Sequence, residues 1–476
     1  MDYGVKIQYG IEDWQILQQN DSAYASLKIG GTYRRIRQSF ELPLEFSEEH
    51  KGKVKVQCRI AIEDTGESLI PWQDCEIKDD QHWEIFFPEI PAGGLYRIET
   101  YMEYEGWDGL SATRGDMVHH IGAGDVFVIA GQSNASGRAK NTIYDPPELG
   151  VHLLKPSGKW TLASHPLAET TDAVYLGHFE NHNPGHSPWL HFAKLLKKSL
   201  GYPIALIPTA YGGAPLRWWN PKENGSLTEN MIKILKDHNI KPKAVLWYQG
   251  EAEGFENSGA TYLERFEEFV ESCREALAQP ELPFFTVQIN ACLENPDEKS
   301  DRQWGMVREA QRKAAHLIPA VYVVPSADLA LYDSIHISAE SNLVVAERVA
   351  AAALKELYQR GRDYEAPEPV KAMQIDESVI KLVFKPVRNW LNTFELPAEE
   401  LPFDAEDEKG LCHPDRYQTG RDDILLHFPR ALRGKVKLHG AWRMNPGKAI
   451  PSDCMRTAIL SFYAFPVEKE QADPSE

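Results

Sequence analysis

Four short stretches of the chain place nucleophilic, basic or amide groups where a buried run of sequence ends. The run Asp125-Val126-Phe127-Val128-Ile129-Ala130 stops at Gly131-Gln132-Ser133-Asn134. A serine at such an edge can attack a carbonyl carbon if a base takes its proton. The alternative is a turn whose Ser133 and Asn134 cap the next helix. A second stretch, Thr209-Ala210-Tyr211-Gly212-Gly213-Ala214, follows Pro203-Ile204-Ala205-Leu206-Ile207-Pro208. Its paired glycines let a backbone N–H face a ligand at close range, or they serve a tight turn that needs positive φ. The third, Trp247-Tyr248-Gln249-Gly250-Glu251, carries an amide that could donate to a developing oxyanion or could satisfy loop carbonyls. The fourth, Asp333-Ser334-Ile335-His336, sets a carboxylate three residues ahead of an imidazole. Such a pair can orient and polarise the base of a serine nucleophile, although D-x-x-H also arises by chance.

These stretches need strands to carry them, and the surrounding pattern supplies strands. From residue 1 to about 120, short extended runs with period-two alternation, such as Val54 to Ile62 and Leu95 to Tyr101, predict a β-sandwich. After residue 120 the rhythm becomes buried strand, loop, long helix, with strands expected at 124–130, 203–208, 243–248, 284–289 and 320–325. Runs apolar on both faces suit a parallel sheet covered by helices. One helix should open at Ser187-Pro188 and close before Gly201. Another sets Tyr262, Phe266, Phe269, Cys273 and Leu277 on one face, and a last one runs from about Ala339 to Tyr358 with Ser338 as its cap. Strands alternating with helices predict a doubly wound α/β fold, in which ligands sit at the carboxyl ends of the strands. Beyond residue 362 the signals are again β, ending in an acidic tail. The expected organisation is therefore a β-sandwich over 1–120, an α/β/α catalytic domain over 121–362 and a β-rich domain over 363–476.

Composition narrows the partners. With 51 basic and 70 acidic residues the formal charge is −19, which argues against nucleic acid or an anionic membrane as partner. Six cysteines are scattered without a C-x-x-C pair, so neither a disulfide framework nor a thiolate zinc site is signalled. The first residues lack a basic segment followed by an apolar one, and no run of about 18 apolar residues occurs. A cytoplasmic protein is expected, with a homo-oligomer left open. His178, His182 and His186 are spaced by four like helical metal ligands, but Pro184 and Gly185 interrupt that spacing, and a cleft-lining loop is the reading preferred over zinc.

In this order and setting the four stretches resemble the blocks of the SGNH hydrolases, in the branch with a G-Q-S-N serine that includes the sialate O-acetylesterases and related acetylxylan esterases. Residues 202–213 and 245–251, the positions Trp304, Arg308 and Gln311, and the tail from Ala441-Trp442 to Phe465 share the likeness. It covers 120–360 well, the C-terminal region loosely and the N-terminal region hardly at all. The resemblance implies a flavodoxin-like sheet and a catalytic set of Ser133 as nucleophile, His336 as general base and acid, and Asp333 as its orienting carboxylate. It further implies an oxyanion hole from the Ser133 N–H, an N–H of Gly212 or Gly213, and the Gln249 side chain. Tyr211, Trp218 and Trp219 could stack on a sugar ring or belong to the core. Arg217 and Glu251 could bind a sugar hydroxyl or form an internal ion pair. Two departures are Ala214, where a threonine is usual, and Ala135, where a methionine is common. The serine is also not in the G-x-S-x-G elbow of α/β-hydrolases. The implied activity is hydrolysis of acetyl esters on carbohydrates, sialic acids or xylo-oligosaccharides, without metal or cofactor. A general short-chain esterase or lipase, and a catalytically idle carbohydrate-binding protein, are the alternatives.

Overall fold

The computed structural model describes residues 4–34, 53–79, 81–106, 109–175, 184–294, 297–447 and 449–469. Its centre is a parallel sheet. The strand Gly109–Gly131 pairs in parallel with Ile204–Pro208 on one side and with Ala244–Tyr248 on the other. Phe284–Val287 and Val321–Val324 continue that second side. Numbered along the chain, these five strands run 2-1-3-4-5, the flavodoxin order, in which the chain reverses direction across the sheet beside the first strand. The crevice made by that reversal lies beyond the carboxyl end of Gly109–Gly131, which is where Ser133 follows. An edge hairpin, Val151–Leu154 with Trp160–Leu162, extends the sheet.

The five expected strands form, the fourth ending two residues early, at Val287, and the fifth one residue shorter at each end, Val321–Val324. They are continuously buried because helices cover the sheet. Trp189–Leu200 ends on Gly201 in the left-handed conformation, as the glycine predicts. Tyr262–Leu277 buries Tyr262, Phe266, Phe269, Cys273 and Leu277 on one face. Ala339–Tyr358 is capped by Ser338, whose hydroxyl accepts from Ser341 N at 3.2 Å. The edge hairpin and the helices Ser226–Asp237 and Glu298–Leu317 are additions to the sequence reading.

N-terminal to the central sheet, Gly4–Tyr9, Tyr24–Arg34, Glu76–Asp79 and His82–Pro91 form one antiparallel sheet. Val54–Ile62, Ser68–Asp74 and Gly93–Gly106 pair onto the first half of Gly109–Gly131. One apolar cluster around Ile29, Ile60, Phe87 and Ile98 joins the two. The boundary expected between residues 120 and 121 thus falls inside one continuous strand. Its first part pairs with Gly93–Gly106 up to Ala123, and its second part, from Asp125, enters the central sheet. Asp125 sits at this crossing, fully buried, and accepts from Gln18 Nε2, Gln19 Nε2, Tyr202 OH and Tyr358 OH at 2.7–3.1 Å. C-terminally, Glu368–Asp376, Val379–Lys385 and Asp423–His427 belong to a five-stranded sheet, and Phe403–Asp407, Lys437–Gly440 and Phe462–Pro466 to a four-stranded one. They enclose a third apolar cluster that includes Leu382, Phe403 and Phe462. The last acidic residues lie outside the described ones.

Candidate active site

Ser133 opens a single helical turn, Ser133–Ser136, at the end of the first central strand. Ala135 N and Ser136 N donate to Gln132 O at 2.9 and 3.0 Å, whereas the Ser133 N–H, at the first position of the turn, has no carbonyl one turn earlier to bond. Gly131 makes the position possible: its φ is +126°, and a Cβ there would lie 2.2 Å from Tyr248 O. The serine is 8% exposed.

The other three stretches are bonded to residues 131–134. Tyr211 N donates to Gly131 O at 3.1 Å, which docks the Gly212–Gly213 turn beside the serine. Gly213 has φ of +66° and nothing within 4 Å of where a Cβ would stand, so the turn needs its glycine for conformation. Gln132 N donates to Tyr248 O at 2.9 Å, and Gln132 Oε1 accepts from Gly250 N and Ala252 N, each at 3.3 Å. The second carboxamide, Asn134, does the corresponding task for the histidine loop. Its Oδ1 accepts from Ile337 N at 3.2 Å and its Nδ2 donates toward Ile335 O at 3.4 Å, so one side chain grips both neighbours of His336. Asn290 reinforces this grip, donating to Ile335 O at 2.7 Å and accepting from Asn134 Nδ2 at 3.1 Å and Tyr248 OH at 2.8 Å. The sequence reading singled out Asn134 only as a possible cap and missed Asn290.

His336 Nδ1 lies 2.7 Å from Asp333 Oδ2. The other oxygen of Asp333 accepts from Ile335 N at 2.9 Å and His336 N at 2.7 Å, closing the loop on itself. Burial alone would raise the Asp333 pKa, but these bonds from the ring and the two backbone N–H groups outweigh it and hold it below the usual carboxylate range. An ionised Asp333 favours the His336 tautomer that carries its proton on Nδ1 and leaves Nε2 bare.

Gln249 departs from its expected role. Its Nε2 donates to Glu253 Oε2 and, at 3.2 Å, to Ala214 O, which uses both amide hydrogens. Its Oε1 is buried and without a partner. The cause is Glu253, one helical turn on and fully buried, which also accepts from Leu216 N at 2.6 Å. Burial pushes the Glu253 pKa up to about 7 against those bonds. Sequence spacing could have flagged Gln249 and Glu253 as a pair four residues apart at a helix start.

The four expected substrate contacts divide. Glu251 is 1% exposed and accepts from Asn134 Nδ2 at 2.7 Å, so it supports the serine turn from beneath. Burial, only partly offset by that bond, raises its pKa. Tyr211 and Trp218 are half-buried and meet edge to face, with centroids 5.8 Å apart. Arg217 pairs with Glu256 and lies over the Trp218 ring, 5.9 Å from its centroid. Trp219 is core.

Of the three histidines spaced by four, His178 and His182 lie outside the described residues. His186 instead joins His165 on Asp145, with Nε2 atoms 3.2 and 3.0 Å from Asp145 Oδ2. These ligand atoms lie within 4.8 Å of one another. The Lys194 ammonium already pairs with Asp145, and His186 Nδ1 faces the amide nitrogen of Asn342, which fixes the ring proton on the Nε2 that a metal would need bare. The set is a poor fit to a metal.

Comparison with known proteins agrees with the resemblance read from the motifs. Residues 123–355 match the family described as carbohydrate esterase, sialic acid-specific acetylesterase. No curated protein matches the chain. Among solved structures, XAC1771, a carbohydrate acetylesterase from Xanthomonas citri, is similar over 95% of this chain and 97% of its own, with 20% identity and a TM-score of 0.63. A protein from Arabidopsis thaliana, AT4G34215, is 26% identical over 49% of this chain and 98% of its own, with a TM-score of 0.42. NanS is 15% identical over 50% of this chain and 98% of its own, with a TM-score of 0.37. The stretch from 123 to 355, which carries all four motif blocks, thus matches the carbohydrate esterase family of the sialic acid-specific acetylesterases, and that match supports a carboxylic ester hydrolase.

Proposed function

We propose that the protein removes acetyl groups from carbohydrate esters with Ser133, His336 and Asp333 as its catalytic set. The observation that carries this reading is Asn134. It is the residue next to the serine, and its bonds to Ile335 and Ile337 bring the Asp333–His336 pair to the serine turn.

In the proposed cycle, Ser133 Oγ attacks the acetyl carbonyl carbon as its proton passes to His336 Nε2. Negative charge collects on the former carbonyl oxygen, where the N–H of Ser133 and one from the Gly212–Gly213 turn would stabilise it. Collapse breaks the bond to the sugar oxygen, which takes the proton from His336. Water then gives a proton to His336 and attacks the acetyl-enzyme, and acetate leaves as Ser133 recovers its proton. Gln249 would join the oxyanion donors only with its amide turned over, at the cost of its bonds to Ala214 and Glu253. The Tyr211–Trp218 corner offers a face for a sugar ring. The cysteines, free thiols and mostly buried, fit a reducing compartment, and we place the protein in the cytoplasm. Among the described residues no helix is long and apolar enough to cross a membrane.

The reading is tested by acetate release from a panel of acetylated mono- and oligosaccharides, with p-nitrophenyl butyrate and longer esters alongside. Preference for acetylated sugars is the expected result. Equal or better turnover of longer simple esters would make this a general esterase.

A further inference from the structure

A cavity of about 680 Å³ opens between Leu293 and the C-terminal region. Its wall on the catalytic side is Leu293, half exposed, whose N–H donates at 2.7 Å to the carbonyl of Ser334, two residues before His336. The opposite wall comes from Glu399, Glu400, Arg443 and Asn445. The two walls are fixed to each other, because Cys292 N donates to Met444 O at 2.9 Å. Beneath lies Asp404, 3% exposed, which holds Trp442 Nε1 at 2.8 Å, Arg443 Nε and Nη2 at 3.1 and 3.0 Å, and His413 Nδ1 at 3.0 Å.

The chemistry of this cavity is mixed. Arg443 spends two of its nitrogens on Asp404, which leaves Nη1 for a ligand. Asn445 uses Oδ1 on Gly447 N at 3.4 Å and leaves Nδ2. His413 meets a carboxylate with one ring nitrogen and the Ala398 carbonyl with the other, at 3.0 Å each, so both nitrogens carry protons and the ring is cationic. Three carboxylates therefore face one guanidinium and one imidazolium, a balance that repels an anionic ligand. Donors and acceptors side by side, beside the apolar Leu293, suit a ring with several hydroxyls.

We infer that this cavity is a subsite for a neutral sugar unit, so that the enzyme takes acetylated neutral oligosaccharides whose neighbouring residue rests on the C-terminal region. The inference rests on the proposed esterase function for its catalytic meaning, but its binding test does not.

Calorimetric titration with unacetylated xylotetraose, and separately with free sialic acid, reads the cavity without catalysis. Binding of the neutral oligosaccharide, weakened about tenfold by Asn445→Ala combined with Glu399→Gln, is expected. Both side chains are exposed, so the double variant should fold. Tighter binding of sialic acid, or oligosaccharide binding that the double variant leaves intact, would overturn the assignment. The kinetic arm compares kcat/KM for acetylated xylo-oligosaccharide and for p-nitrophenyl acetate. A roughly tenfold loss on the oligosaccharide alone is expected from the double variant. Equal loss on both substrates, or none, would also overturn it. If the wild type binds xylotetraose in this way yet hydrolyses no acetylated sugar, the esterase reading fails and the subsite stands as a binding site.

Discussion

Ser133, His336 and Asp333 were proposed from the order of the four stretches and the family they resemble. The two carboxamides that hold them were harder to read. Asn134 stands next to the nucleophile, where a helix cap was an equally good account, and Asn290 follows a strand with no motif around it. Gln249 was assigned by position in its motif, and its hydrogen bonds oppose that assignment. Its amide hydrogens go to Ala214 O and to a buried carboxylate that no strand pattern foretells. Truncation by Gln249→Ala should therefore act on stability, by about 1 to 3 kcal/mol, through the partners it strands. The rate constant should fall less than about tenfold. Thermal unfolding and steady-state kinetics on one preparation check this. An unchanged melting temperature with a rate about 100- to 1,000-fold lower would place the amide nitrogen in the oxyanion hole.

At the scale of elements, the parallel strands were readable because both faces are covered, and the helices because their caps and apolar faces agree. The helix Glu298–Leu317 was not read as an element, since its residues are mostly polar and its role is to tie. Fully buried Arg308 donates to the carbonyls of Ile289, Asn290, Ala441 and Arg443 at 2.6–2.9 Å. Gln311, also buried, accepts from Ile289 N at 3.0 Å and donates to Gln249 O at 2.8 Å. The loop after Phe284–Val287, which carries Asn290, is thereby locked to the C-terminal segment 441–444. Burial lowers the Arg308 pKa to about 9, still above neutrality, so the guanidinium remains charged, and of its four carbonyls Asn290 O has a second donor in Trp304 Nε1 at 3.0 Å. Arg308→Met should cost about 3 to 5 kcal/mol in urea unfolding, because it leaves buried carbonyls unpaired. A loss below about 1 kcal/mol would mean that the loops hold without the arginine.

For the whole molecule, the pattern of the sequence could not show that one strand would run from the N-terminal sheet into the central one. The alternation of residues fades gradually along Gly109–Gly131 and offers no break. Contacts across the regions include buried histidines. His152, on the edge hairpin, bonds Trp14 O at 2.6 Å through Nδ1, and burial lowers its pKa to about 4. His439, in the C-terminal four-stranded sheet, is lowered to about 4, again by burial first. Unfolding restores the ordinary value of 6.5. Between pH 6.5 and 4 the unfolded chain therefore binds more protons, so stability is full above that window and falls as pH drops through it. His152 should contribute roughly 2 to 3 kcal/mol to that loss. Urea unfolding at pH 7 and at pH 4.5 should show the fall, and His152→Gln should reduce it. A pH-independent midpoint would contradict the buried, neutral state of both rings.

The central claim is that Ser133, activated through His336, is the nucleophile. Mass-spectrometric mapping of the active protein after reaction with a serine-directed fluorophosphonate tests it most directly. One label is expected, on the peptide that contains Ser133, with loss of activity in step with labelling and neither label nor turnover in Ser133→Ala. Label on any other residue, or full activity in Ser133→Ala, would contradict the account.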